Sequence, residues 1–125
     1  MELFIGGAYQ GKSDYVKETF GFTDEDFCIC DIDNEPHFDK KCISHIERFS
    51  FWCIKNGIEP KDYFFEHVKD TDEKIIISDD ISCGVVPIDK DERAWREANG
   101  RLLMAIADKS EHLTRIFCKI PVRIK

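Results

Sequence analysis

The sequence predicts an α/β domain built on a mainly parallel sheet flanked by helices, and three observations carry that expectation. Lys74-Ile75-Ile76-Ile77-Ser78 is a continuous β-branched run, the pattern of a central parallel strand buried on both faces. A short apolar segment, Glu2-Leu3-Phe4-Ile5, leads into a glycine-rich stretch and then into a helical pattern. Strand-like and helix-like segments then alternate, with no internal repeat, low-complexity tract or interdomain linker. With 125 residues, 42% of them hydrophobic and ten of them Phe, residues 1–125 read as a single domain able to bury a core.

The elements follow in order. Ser13-Asp14-Tyr15-Val16-Lys17-Glu18-Thr19-Phe20 opens a helix that Gly21 is suited to cap. Phe27-Cys28-Ile29-Cys30 reads as a second buried strand closing at Asp31, and Asp31-Ile32-Asp33-Asn34-Glu35-Pro36 as an acidic, turn-rich loop. From Asp39 to about Asn56, apolar residues at three- and four-residue spacing predict one helix, stopped by Asn56-Gly57. Pro60 begins a second, shorter helix, and Asp70-Thr71-Asp72-Glu73 is a solvated turn. The isoleucine strand then delivers Asp79-Asp80 at its C-terminal end. A long helix is expected from about Lys90 to Lys109, with Ala94, Ala98, Leu102, Ala105 and Ile106 inward. His112 to Cys118 supplies the last strand, and Lys119 to Lys125 is left as a tail.

Gly6-Gly7-Ala8-Tyr9-Gln10-Gly11-Lys12-Ser13 fits G-x-x-x-x-G-K-[ST] between a strand and a helix, the context that a phosphate-binding P-loop requires. In such a loop the backbone N–H groups converge on phosphate oxygens at the positive end of the helix. Lys12 would reach the outer phosphates and the Ser13 hydroxyl would ligate Mg²⁺, with GTP or ATP as the nucleotide. The expected architecture is therefore P-loop NTPase-like.

Charge and cysteine usage narrow the partners. A formal charge of −7 and the lack of a basic stripe give no counterion-release drive toward nucleic acid, so anionic substrates must be captured locally. No apolar run approaches the ~18 residues needed to span a bilayer. Met1 to Ile5 carries no secretory pattern, and the expected location is cytoplasmic. Cys28, Cys30, Cys42, Cys53, Cys83 and Cys118 form no C-x-x-C pair and sit mostly in apolar stretches, as reduced buried thiols do.

The second half carries a family resemblance. Asp79-Asp80-Ile81-Ser82-Cys83-Gly84-Val85-Val86-Pro87, the spaced Arg93, Arg96 and Gly100-Arg101, and the ending Ile120-Pro121-Val122-Arg123-Ile124-Lys125 form an ordered set. Together with Gly6-Gly7-Ala8 ahead of Gly11-Lys12-Ser13, this resembles the adenosylcobinamide kinase/adenosylcobinamide-phosphate guanylyltransferase family over about residues 1–20 and 74–125. The resemblance implies a P-loop fold, a nucleoside triphosphate with Mg²⁺, a corrinoid substrate and homo-oligomers, trimers among them. It also implies phosphorylation of the aminopropanol hydroxyl of adenosylcobinamide, then GMP transfer through a guanylylated histidine. The chain departs from the family pattern in three places. The segment bearing that histidine is shortened, Asp79-Asp80 stands where the family has Asn-Glu, and Tyr9-Gln10 replaces Arg-Ser inside the loop.

The remaining candidates each carry two readings. Asp31 and Asp80 end strands on the ligand side, where either can hold Mg²⁺ through water or orient a substrate hydroxyl, or can serve as a strand-end cap or ion-pair partner. Asp79 is expected to cap the following turn. His37 and His45 are the histidines nearest the shortened segment, and His45 is weighed as a nucleophile against a structural or exposed helical histidine. Arg93, Arg96 and Arg101 contact phosphate or a neighbouring subunit, or pair with Asp89, Asp91, Glu92 and Glu97 on a solvated face. Trp52 and Trp95 read as core or interface, and Gly84 and Pro87 as shaping a loop over the site. Two functions stand at this point: a nucleotide-dependent kinase of cobalamin biosynthesis, or a catalytically reduced nucleotide-binding regulatory protein of the same fold. A different small P-loop kinase is the generic third.

Overall fold

A computed structural model describes residues 1–81 and 90–125. Six strands, β1 (Glu2–Gly6), β2 (Phe27–Ile29), β3 (Cys42–Ser44), β4 (Ile75–Asp79), β5 (His112–Phe117) and β6 (Ile120–Arg123), form one sheet in the order β2-β3-β4-β1-β5-β6. All neighbours are parallel except β5 and β6. Four helices, α1 (Lys12–Phe20), α2 (Ile46–Lys55), α3 (Pro60–His67) and α4 (Lys90–Lys109), cover the sheet. The expected α/β class, with a mostly parallel sheet and a single compact body, is what the chain adopts. The Ser82–Pro87 segment, and Asp89 with it, lies outside the described residues.

Strand alternation divides the core into two layers. On one face Phe4, Ile75, Ile77, Cys42, Phe27 and Ile116 pack with Val16 of α1. On the other, Leu3, Ile76 and Ile43 pack with Ile46, Phe49 and Cys53 of α2, Phe64 of α3, and Leu102 and Ile106 of α4. Burial of both faces explains why the central strands read as unbroken apolar runs. A buried polar pair bridges two helices: the Ser50 hydroxyl donates to Asn99 Oδ1 at 2.8 Å and to the Ile46 carbonyl at 3.4 Å.

Two expectations need correction. The predicted helix from Asp39 to Asn56 is a strand followed by a helix. Cys42-Ile43-Ser44 forms β3, paired between β2 and β4, and only from Ile46 does the chain become helical. His45 separates them with φ 57, a left-handed conformation that stops the strand and starts the helix. Three residues buried on both faces show no two-residue alternation, and they merge with the helical spacing that follows. Likewise Lys119–Lys125 is no tail: Ile120–Arg123 pairs antiparallel with β5. The two-residue turn is Cys118-Lys119, both at positive φ (50 and 63), a hairpin without the glycine or asparagine that signals one. Pro121 is tolerated because β6 is an edge strand.

The connections define the position of the site. From β1 the chain runs through α1 toward β2 on one side; from β4 it runs through α4 to β5 on the other side of β1. Adjacent strands whose connections diverge leave a crevice at their C-terminal ends, where open α/β sheets receive ligands. Gly6 and Asp79 are register partners at that end, and the Asp80 N–H donates to the Gly6 carbonyl at 2.8 Å.

Gly6 must also be small, because a Cβ there would collide with the main-chain carbonyl of Ile116 in β5. Gly100, in α4, faces open space. Gly6→Ala is expected to lower unfolding stability by about 1–3 kcal/mol through overpacking against immovable backbone. Gly100→Ala is expected to raise it by about 0.5–1 kcal/mol through helix propensity. Urea unfolding midpoints of the two variants test both signs.

Candidate functional site

The loop from Gly7 to Gly11 joins β1 to α1 and forms one wall of a cleft of about 580 Å³. Ala8, Tyr9, Gln10, Gly11, Lys12, Ser13 and Asp14 line that wall, and Ser44, His45, Arg48, Ile77 and Asp79 line the other. Gly11 caps α1 at φ 84, a left-handed conformation, and a Cβ there would also meet the Lys119 side chain. The N-terminus of a nine-residue helix thus borders the cleft with no side chain capping it. Tyr9, at φ 60, is fully exposed at the loop's tip.

Lys12 is the hub. Although its side chain is only 6% exposed, its ammonium has three acceptors: the carbonyls of Gly6 (3.2 Å) and Gly7 (2.6 Å) and Asp79 Oδ1 (2.7 Å). A buried cation with a paired carboxylate and two carbonyls is well compensated, whereas removing one partner strands the other. The Asp79 carboxylate therefore faces the loop, and the turn after β4 that the sequence led us to expect it to cap runs into residues outside the described ones. Strand parity puts Asp79 on the α1 side of the sheet with Ile75 and Ile77.

Asp79 has a second neighbourhood. Its N–H donates to Glu47 Oε1 at 2.9 Å, while Glu47 Oε2 lies 3.2 Å from His45 Nδ1 and 3.9 Å from Arg48 Nε. His45 Nδ1 is also 3.9 Å from Asp79 Oδ2. Glu47 is buried, and its carbonyl accepts the Trp95 indole N–H at 2.8 Å, tying α4 to α2. His45, Glu47 and Asp79 are the group among the described residues able to surround a metal ion, with donor atoms within 4.8 Å of one another.

The other candidates fall elsewhere. Asp31 is exposed and closes its own turn, accepting from the Asp33 N–H (3.2 Å) and the Asn34 amide (2.7 Å). Those two donors, the Asp33 N–H foremost, hold its carboxyl below the ordinary range. It borders a different hollow, with Asn34, Pro36 and His37. Asp80 points to the opposite face from Asp79, into a cavity of about 440 Å³ lined by Ile5, Ile81, Arg96, Asn99, Gly100 and Leu103. Arg96 Nε is buried there without a hydrogen-bond partner among the described residues. Arg101 is engaged by Glu59 at 3.0 Å on the surface, and Trp95 packs edge-on against Phe51. Glu47 and Arg48 escape sequence reading because their helix register follows from β3, which the periodicity conceals.

The loop is braced from outside. Gln10 accepts the Lys119 N–H on its carbonyl (2.8 Å) and the Cys118 N–H on its side-chain Oε1 (2.7 Å), fastening the β5–β6 turn to the loop. No helix of the described residues is long and apolar enough to cross a membrane. A scan of the sequence against models of protein families finds no match, and no curated protein matches it.

The described cysteines are all free thiols, and Cys28, Cys30, Cys42 and Cys53 are buried. Burial pushes Cys42 and Cys53 up to about 12, and raises Cys28 and Cys30 as well. Since the thiolate is the nucleophile, a raised pKa removes it at pH 8. Brief alkylation at pH 8, mapped by mass spectrometry, is expected to label Cys118 and leave these four unmodified until the protein is denatured.

Proposed function

We propose that this protein is a nucleotide-dependent kinase that transfers the γ-phosphoryl group of ATP or GTP to the aminopropanol hydroxyl of adenosylcobinamide. The single observation that carries the reading is Lys12, set at the head of α1 and joined to the strand-end Asp79 across the crevice between β1 and β4. The residue order of the second half, which resembles the adenosylcobinamide kinase/guanylyltransferase family, selects the acceptor.

The chain's own groups divide the work. The loop amides and the positive end of α1 bind phosphate oxygens. Lys12, presently held by two carbonyls and Asp79, exchanges carbonyl acceptors for phosphate oxygens and neutralises charge on the leaving group. Mg²⁺ fits the donors present: the Ser13 hydroxyl and the Asp79 carboxylate line the same cleft, and both offer hard oxygen. The ion supplies charge neutralisation on the phosphates when bound. Asp80, in the cavity beside α4, is assigned to the acceptor side, where it orients the attacking hydroxyl. The hydroxyl oxygen bonds to the γ-phosphorus as the bond to the bridging oxygen breaks, and the hydroxyl proton passes to a carboxylate.

A second reading is a nucleotide-binding regulatory protein without turnover. The shortened segment between α1 and β2 favours it, because the family's nucleophilic histidine has no counterpart there. Guanylyl transfer would instead fall to His45, which lines the loop cleft.

A transfer assay with γ- and α-labelled GTP and ATP and adenosylcobinamide separates these readings. The γ label is expected on the corrinoid, and Lys12→Ala is expected to reduce its transfer by at least about 100-fold. Label from α-GTP retained on the protein and lost in His45→Ala would add guanylyl transfer. Nucleotide binding with neither label moving would replace the kinase by the regulatory protein.

A further inference from the structure

We propose that His45, Glu47 and Asp79 form a binding site for a first-row divalent ion of the Mn²⁺, Co²⁺ and Zn²⁺ class, occupied without nucleotide. The inference shares Asp79 and His45 with the roles assigned above, but it needs neither nucleotide nor the kinase reading. It differs from a magnesium ion carried in with phosphates on Ser13, because an imidazole nitrogen is part of the donor set.

The first argument is how the oxygens are apportioned. Each carboxylate spends one oxygen on a fixed partner and leaves the other facing His45. Glu47 Oε1 accepts the Asp79 N–H, so Oε2 is left toward His45 Nδ1 at 3.2 Å. Asp79 Oδ1 holds Lys12, so Oδ2 is left toward the same nitrogen at 3.9 Å. Ligands held about 2.0–2.2 Å from one ion lie roughly 3–4 Å apart, and both separations from His45 Nδ1 fall in that span, with all three donor atoms within 4.8 Å of one another. Partners that fix the orientation of the two carboxylates are what a metal site requires beyond its ligands.

Charge supplies the second, independent argument. Lys12 and Arg48 are the cations lining the cleft, while Asp14 and Asp79 line it and Glu47 adjoins it. Lys119, 3.9 Å from Asp14, offsets that carboxylate and leaves Glu47 and Asp79 as the acidic pair facing His45. Glu47 has only 6% of its side chain exposed, and the guanidinium nearest it is 3.9 Å away. A divalent ion beside Glu47 and Asp79 compensates the buried carboxylate. The position also suits access, since His45 lines the open cleft while Glu47 closes the site from behind.

The test titrates Co²⁺ into the full chain without nucleotide, following the visible d–d band, with Zn²⁺ as competitor. One equivalent is expected to bind and to be displaced by Zn²⁺. His45→Ala and Glu47→Gln, checked for folding by circular dichroism, are each expected to weaken binding on the order of 100-fold. In the wild-type protein, substoichiometric Mn²⁺ is expected to broaden the ring resonances of His45 before those of His37, His67 and His112. This readout needs no variant and no catalysis. A thiolate charge-transfer band, preferential broadening of another histidine, or Co²⁺ affinity unchanged in both variants would overturn the proposal. Failure of phosphoryl transfer alone would leave the titration result standing and count only against the kinase.

Discussion

The ammonium of Lys12 holds the centre of this molecule together. It is the first residue of α1, its acceptors include the last residue of β1 and the first of the loop, and its ion-pair partner is the last residue of β4. One buried cation thus joins the two strands between which the chain connections diverge, and fixes the loop's height above them. The cation needs this many acceptors because it has left water, and each acceptor in turn is constrained by it. Glu47 extends the same constraint to α2 through the Asp79 N–H, and Trp95 carries it to α4.

Much of this was legible in the sequence. The buried isoleucine run located β4, and the strand, glycine loop and lysine lie where a cleft opens at the strand ends. The long helix ran as expected from Lys90 to Lys109. What could not be read has physical causes. β3 is three residues long and buried throughout, so it has neither alternation nor punctuation to separate it from α2. β6 follows a turn of Cys118 and Lys119, whose positive φ angles are stabilised by their contacts with Gln10 rather than by residue type. Between Asp79 and Asp80, sequence favoured the second, whereas strand parity turns the first toward the loop. Parity counts from the pairing partners of a strand, and those are a tertiary fact.

The two faces of the sheet end in different chemistry. The α1 face carries the polar cleft, with lysine, arginine, histidine and serine around the loop. The α4 face carries a cavity walled by Ile5, Ile81 and Leu103, with Asp80, Arg96, Glu97 and Asn99 as its polar residues. Consecutive residues of one strand, Asp79 and Asp80, serve one cavity each. An antiphase pair at a strand end is therefore enough to place a hydrophilic compartment and a largely apolar one within one peptide unit of each other.

The bracing of the loop by the hairpin has a mechanical consequence. Gln10 holds the β5–β6 turn twice, through its main chain and its side chain, and the two N–H groups it receives come from consecutive residues. A rigid outward swing of the loop would break both bonds together, and no single rotamer change can preserve them. β6 is the last strand of the sheet, and Phe117, Ile120 and Val122 beside the turn are exposed. The loop's stiffness is thus borrowed from the outermost strand of the sheet, so a load applied at that rim is transmitted to the crevice through two hydrogen bonds acting as one hinge pin.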